Sequence, residues 1–139
     1  MKYSVDKREH YSIFTLDELK LDSILAPVVK SEFIIFRNEG VKNLILDLSG
    51  VKFVDSSGLS AILTANRLWK GFGSFIITGV DHPSVKKLIE ISRLYTVLTI
   101  IPTMQEATDY IMMEELEKEL TAEADTDNEI GSYSYGGFI

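Results

Sequence analysis

Cysteine is absent from the 139 residues, which excludes a disulfide framework, a thiolate metal site and a cysteine nucleophile. Histidine occurs only at His10 and His82, too few to make a zinc site alone. Long apolar runs are missing as well, with no stretch approaching the ~18 apolar residues of a membrane span. Residues Met1 to His10 are polar and charged where a secretory signal would be apolar. A soluble cytoplasmic protein with no membrane partner is therefore expected. Lys and Arg form no cluster, so the electrostatic footprint that phosphate-backbone binding needs is lacking and a nucleic-acid partner is not expected.

The chain has the length of one domain, and its 45% hydrophobic and 25% charged residues are ordinary globular values. Its formal net charge of −7 is unevenly spread, because residues 104–129 hold ten of the 21 acidic side chains and one of the 14 basic ones. Acidity is a C-terminal feature. After Thr121 the sequence becomes acidic and then rich in Gly and Tyr, so residues 121–139 are expected to form a flexible tail.

Period-2 and period-3.6 patterns alternate along the rest of the chain and predict a mixed α/β domain. Tyr3–Val5 and Tyr11–Leu16 read as an antiparallel edge hairpin. Ile24, Leu25, Val28, Val29, Phe33 and Phe36 have helical spacing, with Asp22 or Ser23 as N-cap, Pro27 in the first turn and Gly40 beyond the end. The run Phe33 to Phe36 is more apolar than a half-exposed helix needs, which admits a self-association face and so a homodimer. Asn43–Leu48 and Ser74–Thr78 read as strands covered on both faces. Helices are expected over the Leu59–Trp69 pattern, from Pro83 as a first-turn residue, and from Thr103 to about Leu120; Val97–Ile101 is a last short strand.

The most informative segment is LILDLSGVKFVDSSGLS, from Leu44 to Ser60. A buried strand leads through Ser49 and Gly50 to Phe53 and Val54, and then Asp55, Ser56, Ser57 and Gly58 open a helix. Asp and Ser suit an N-cap because a side-chain oxygen accepts from the free N–H groups of the first turn. One cap needs one such residue. The surplus puts a hydroxyl at an exposed, positively polarised helix start.

The run DLSGVKFVDSSGL, from Asp47 to Leu59, resembles the signature of the STAS domain, above all that of the bacterial anti-sigma-factor antagonists. Ser74–Gly79 resembles that family's fourth strand, and PSVKKLIEISRLYTVL, from Pro83 to Leu98, resembles its next helical segment. The resemblance implies one STAS domain over residues 1–120, with a central mixed sheet flanked by about four helices. It further implies Ser56 as a phosphoacceptor, with Asp55, Ser57 and Gly58 as its immediate surroundings. Asp22 matches the Asp of a family turn that contacts the partner, although the Gly-Glu pair preceding that Asp is replaced by Leu19-Lys20. The implied partner is an anti-sigma-factor serine kinase of GHKL type, opposed by a phosphatase, and no cofactor, metal or catalytic residue is implied.

On charge grounds a phosphoryl group on Ser56 adds about −1.5 to −2 beside Asp55, which opposes a partner docked over it. Gly58 is expected to serve close approach of that partner. A STAS scaffold or transport-accessory protein, binding a nucleotide, lipid or structural partner, is the alternative. A hydrolase using Ser56 or Ser57 lacks a base and an oxyanion motif. Gly71-Phe72-Gly73 follows a helix and precedes a strand, opposite to the order of a dinucleotide loop.

Overall fold

A computed structural model describes residues 1–131, with side chains through residue 122. Tyr3–Lys7 (β1) and Ser12–Leu16 (β2) pair antiparallel as the expected hairpin, in the register Val5 to Phe14. The sheet then continues parallel through Leu44–Asp47 (β4), Phe75–Thr78 (β6) and Thr99–Ile100 (β7), giving the order β1-β2-β4-β6-β7. A second sheet of two residue pairs joins Lys20–Leu21 (β3) to Phe53–Val54 (β5), in parallel. The four helices are Ala26–Asn38 (α1), Ser56–Trp69 (α2), Pro83–Ser92 (α3) and Met104–Gly131 (α4).

Alternation along the strands sorts the core into two layers. Leu44, Leu46, Phe75 and Ile77 join Phe14, Phe33, Phe36 and Trp69 in one large cluster under α1, α2 and α3. Ile45 and Ile76 point the other way, where Ala107 and Ile111 of α4 cover them. The N-terminal ends of β2, β4 and β6 are tied to α4 by polar groups. The buried Asn43 amide donates to the His10 carbonyl at 2.7 Å and accepts from the Ser74 N–H at 2.9 Å, and the Ser74 hydroxyl donates to Glu114. His10 itself stands 3.8 Å from Glu115.

Three boundaries differ from the sequence reading. Helix α1 begins at Ala26 instead of near Asp22, because Asp22 Oδ1 accepts from the N–H groups of Ile24 and Leu25 and fixes a separate turn ahead of the helix. Pro27 then falls in its first turn, as its missing N–H requires. A 3-10 turn over Leu94–Thr96 follows α3, and the N–H groups of Val97 and Leu98 donate back to the Leu94 carbonyl, so that of the expected last strand β7 keeps two residues. Helix α4 continues past Leu120 to Gly131. Its added segment holds Ala122, Ala124 and Glu129, all good helix formers. Residues 132–139, the remainder of the expected tail, lie outside the described residues. Among the described residues no helix is long and apolar enough to cross a membrane.

Candidate functional site

Strand β5 ends one residue before α2, and this junction is held from three sides. The Leu19 carbonyl accepts from the N–H groups of Lys52 and Phe53, and the Leu21 carbonyl accepts from the Asp55 N–H. The Ser84 hydroxyl, in the first turn of α3, donates to the Lys52 carbonyl, while His82 caps that helix by accepting from the Ser84 N–H at 3.2 Å. His82 is thus a helix cap near the site.

Asp55 is the N-cap of α2, as its residue type and position predict. Its backbone is extended, and Oδ1 accepts from the Gly58 N–H at 2.9 Å. The other carboxylate oxygen, Oδ2, accepts from the Ser23 N–H at 3.2 Å. One side chain therefore fixes both the start of α2 and the turn before α1. With each oxygen occupied by an N–H, Asp55 is a clamp rather than a free base.

Ser56 is exposed and Ser57 half-buried, and neither hydroxyl makes a hydrogen bond among the described residues. They face a small cleft of about 260 Å³ between the first turns of α1 and α2, lined also by Ser23, Pro27, Lys30 and Ser60. Lys30 takes part in no ion pair among the described residues. Exposed apolar side chains occur on the adjoining segments: Leu19 precedes β3, Phe53 lies in β5 opposite Lys20, and Ile24, 78% exposed, follows Ser23. Asp22 is half-buried, and both hydrogen bonds of its side chain are internal to its own turn.

Gly58 has a different reason to be glycine from the one expected. It is buried in the first turn of α2, and a Cβ there would lie 2.3 Å from the Leu21 carbonyl oxygen and 2.8 Å from Val54 Cγ1. The close approach is to strand β3 of the same chain. Its backbone does not take a left-handed conformation. Sequence reading assembled Asp55, Ser56, Ser57 and Gly58 correctly as one helix start and attached Asp22 to its neighbourhood. It missed Ser23 and Lys30, whose relation to the serines arises only when α1 packs beside α2, and no local pattern marks them.

Titratable groups displaced from their ordinary values lie elsewhere. A hydrogen bond from Arg8 holds the Asp6 carboxyl below the usual range, and partial burial with the neighbouring Glu114 raises the Tyr110 hydroxyl. A larger cleft of about 720 Å³ lies between the β6–α3 loop, α3 and the end of β7, lined by Val80, Asp81, Lys86, Ile89, Tyr95 and Pro102. No residue of the Asp55–Gly58 run lines it. Among the described residues no group of three His, Asp or Glu side chains is arranged to hold a metal ion.

Comparison with known proteins agrees with this architecture. The family model described as the STAS domain matches residues 2–107. An anti-sigma factor antagonist from Mycobacterium paratuberculosis superimposes with a TM-score of 0.73 at 19% identity, covering 80% of this chain and 93% of that one. The Bacillus cell fate determinant SpoIIAA in its phosphorylated form gives 0.60 at 20% identity, covering 79% and 99%. The murine Solute Carrier 26 family member A9 anion transporter, in its inward-facing state, gives 0.63 at 18% identity; the match covers 78% of this chain and 18% of the transporter.

Proposed function

We propose, starting from the fact that this chain belongs to the STAS domain family, that it is an anti-sigma-factor antagonist switched by phosphorylation of Ser56. In the unphosphorylated state it binds an anti-sigma-factor serine kinase of GHKL type in the cytoplasm and so frees a sigma factor. The kinase transfers the γ-phosphoryl group of ATP to Ser56. A bond forms from the Ser56 Oγ to phosphorus, the bond to ADP breaks, and the hydroxyl proton leaves to a base of the kinase. A phosphatase reverses the modification by hydrolysis. The chain is a substrate and performs no catalysis of its own.

The observation that carries this reading is an exposed hydroxyl at the start of α2, with no base hydrogen-bonded to it, on a backbone fixed by Asp55. A kinase needs an accessible acceptor on a fixed frame, whereas a nucleophile for hydrolysis needs an adjacent base. Leu19, Ile24 and Phe53 provide the apolar part of a docking surface, and burial of such side chains is what makes an interface core favourable. Asp22 is proposed to contact the partner from the turn it caps. A dianion introduced among these groups sits where docking excludes water, and the cost of desolvating it opposes the docked state.

Titration calorimetry with the anti-sigma-factor kinase tests the proposal. Ser56→Ala is expected to bind with the wild-type affinity and to stay bound when ATP is added, while Ser56→Asp binds at least about tenfold more weakly. Equal affinity of the two variants would rule out the switch and favour the scaffold or transport-accessory role.

A further inference from the structure

The cleft beside Ser56 contains a cation that the unmodified protein does not use. Lys30 projects from the second turn of α1 into the space shared by Ser56, Ser57 and Ser60, half-buried and without a carboxylate partner among the described residues. Both oxygens of Asp55, the carboxylate next to Ser56 in the chain, accept from the Ser23 and Gly58 N–H groups. The packing of α1 beside α2 covers part of the Lys30 stem and leaves its ammonium available to an anion at the cleft.

We propose that Lys30 is the intramolecular counter-charge for a phosphoryl group on Ser56, so that modification draws the group into the α1/α2 cleft. The inference rests on Ser56 being the phosphoacceptor. Phosphate oxygens reach beyond the serine Oγ into the cleft, where the ammonium of Lys30 donates to them as a charge-assisted hydrogen bond with no proton transferred. Lys30 is here a positioning residue. Phosphorylation then tightens the contact between α1 and α2, and the modified face differs from the free one in two ways: a charge is added, and a cleft that a partner side chain could enter is filled. On this proposal Ser56→Asp is a weaker mimic than phosphoserine. It carries one negative charge and a shorter reach than a phosphoryl group, with fewer oxygens to accept from Lys30.

The test uses the full chain carrying phosphoserine at position 56, installed during translation by an expanded genetic code, so that no kinase is required. Amine labelling read by mass spectrometry should show Lys30 protected severalfold in the phosphorylated protein relative to the unmodified one, with exposed Lys70 as the internal reference. Phosphorylation should also raise the melting temperature by about 3 °C in the wild type. Lys30→Gln should melt like the wild type when unmodified and lose the gain on phosphorylation, and Lys30→Arg should restore it. Unchanged labelling of Lys30, or the same gain in Lys30→Gln, would overturn the proposal. Because the phosphate is installed directly, either result stands apart from whether a kinase modifies Ser56.

Discussion

The two faces of the sheet are built to different standards. Under α1, α2 and α3 the aromatic rings form a continuous chain: Phe14 lies 5.7 Å from Phe33, Phe33 lies 5.9 Å from Phe75, and Phe75 lies 6.1 Å from Trp69. Arg37 and Lys42 both stand over the Phe72 ring, at 3.4 and 5.0 Å from its centroid. On the opposite face Ile45, Ile76, Ala107 and Ile111 are the buried apolar residues, and α4 is also tied by polar contacts of Glu115 with Asn43 and of Glu114 with Ser74. Beyond them α4 carries Met113 and Leu120 exposed. The site stands on the better packed face. An acceptor serine whose cap, preceding turn and supporting strand are all fixed can change its charge without changing the fold.

That contrast is open to direct measurement. Phe33→Ala, in the centre of the aromatic chain, is expected to cost about 4 kcal/mol in urea unfolding, and Ile111→Ala on the α4 face about 2 kcal/mol, because a single covering helix relaxes more easily toward a cavity. Equal losses would erase the distinction between the faces. Gly58→Ala should cost about 2 kcal/mol, since α2 must move away from the Leu21 carbonyl to admit a methyl group. A variant as stable as wild type would mean that β3 yields freely, and the site would not be rigid.

Asp55→Ala removes the cap of α2 and the tie to Ser23 together, for an expected loss of about 1.5 kcal/mol. Ser56→Ala should leave the denaturation midpoint within about 0.5 kcal/mol, as for a surface substitution that touches no cap. The smallest effect is expected from deleting residues 132–139. Their Ser, Gly and Tyr composition offers little apolar periodicity to bury, so the melting temperature should stay within about 1 °C.

The features that the sequence made legible are those written in neighbouring residues. Strand periodicity, the first-turn prolines and the Asp55 to Gly58 run all act over a few positions, and each was found where its spacing put it. The β3/β5 pairing escaped because two-residue strands have no alternation to detect, and it is the feature that explains Gly58. Asp22 or Ser23 was read as the cap of α1 because an Asp or Ser ahead of an apolar helical run has that appearance, yet the Asp22 side chain closes the turn over residues 22–25 that precedes the helix. Lys30 could not be recognised at all. Its meaning depends on the packing of α1 beside α2, and a lysine on an amphipathic helix is otherwise only a solvated charge.

The central claim, that the exposed hydroxyl at the head of α2 is the switch, is tested most directly by peptide mapping of the protein isolated from its native cells, with intact mass measured in parallel. One phosphate on Ser56, absent from Ser57 and Ser60, is the expected result. A phosphate confined to another residue, or none under any condition in which the anti-sigma-factor kinase is active, would contradict it.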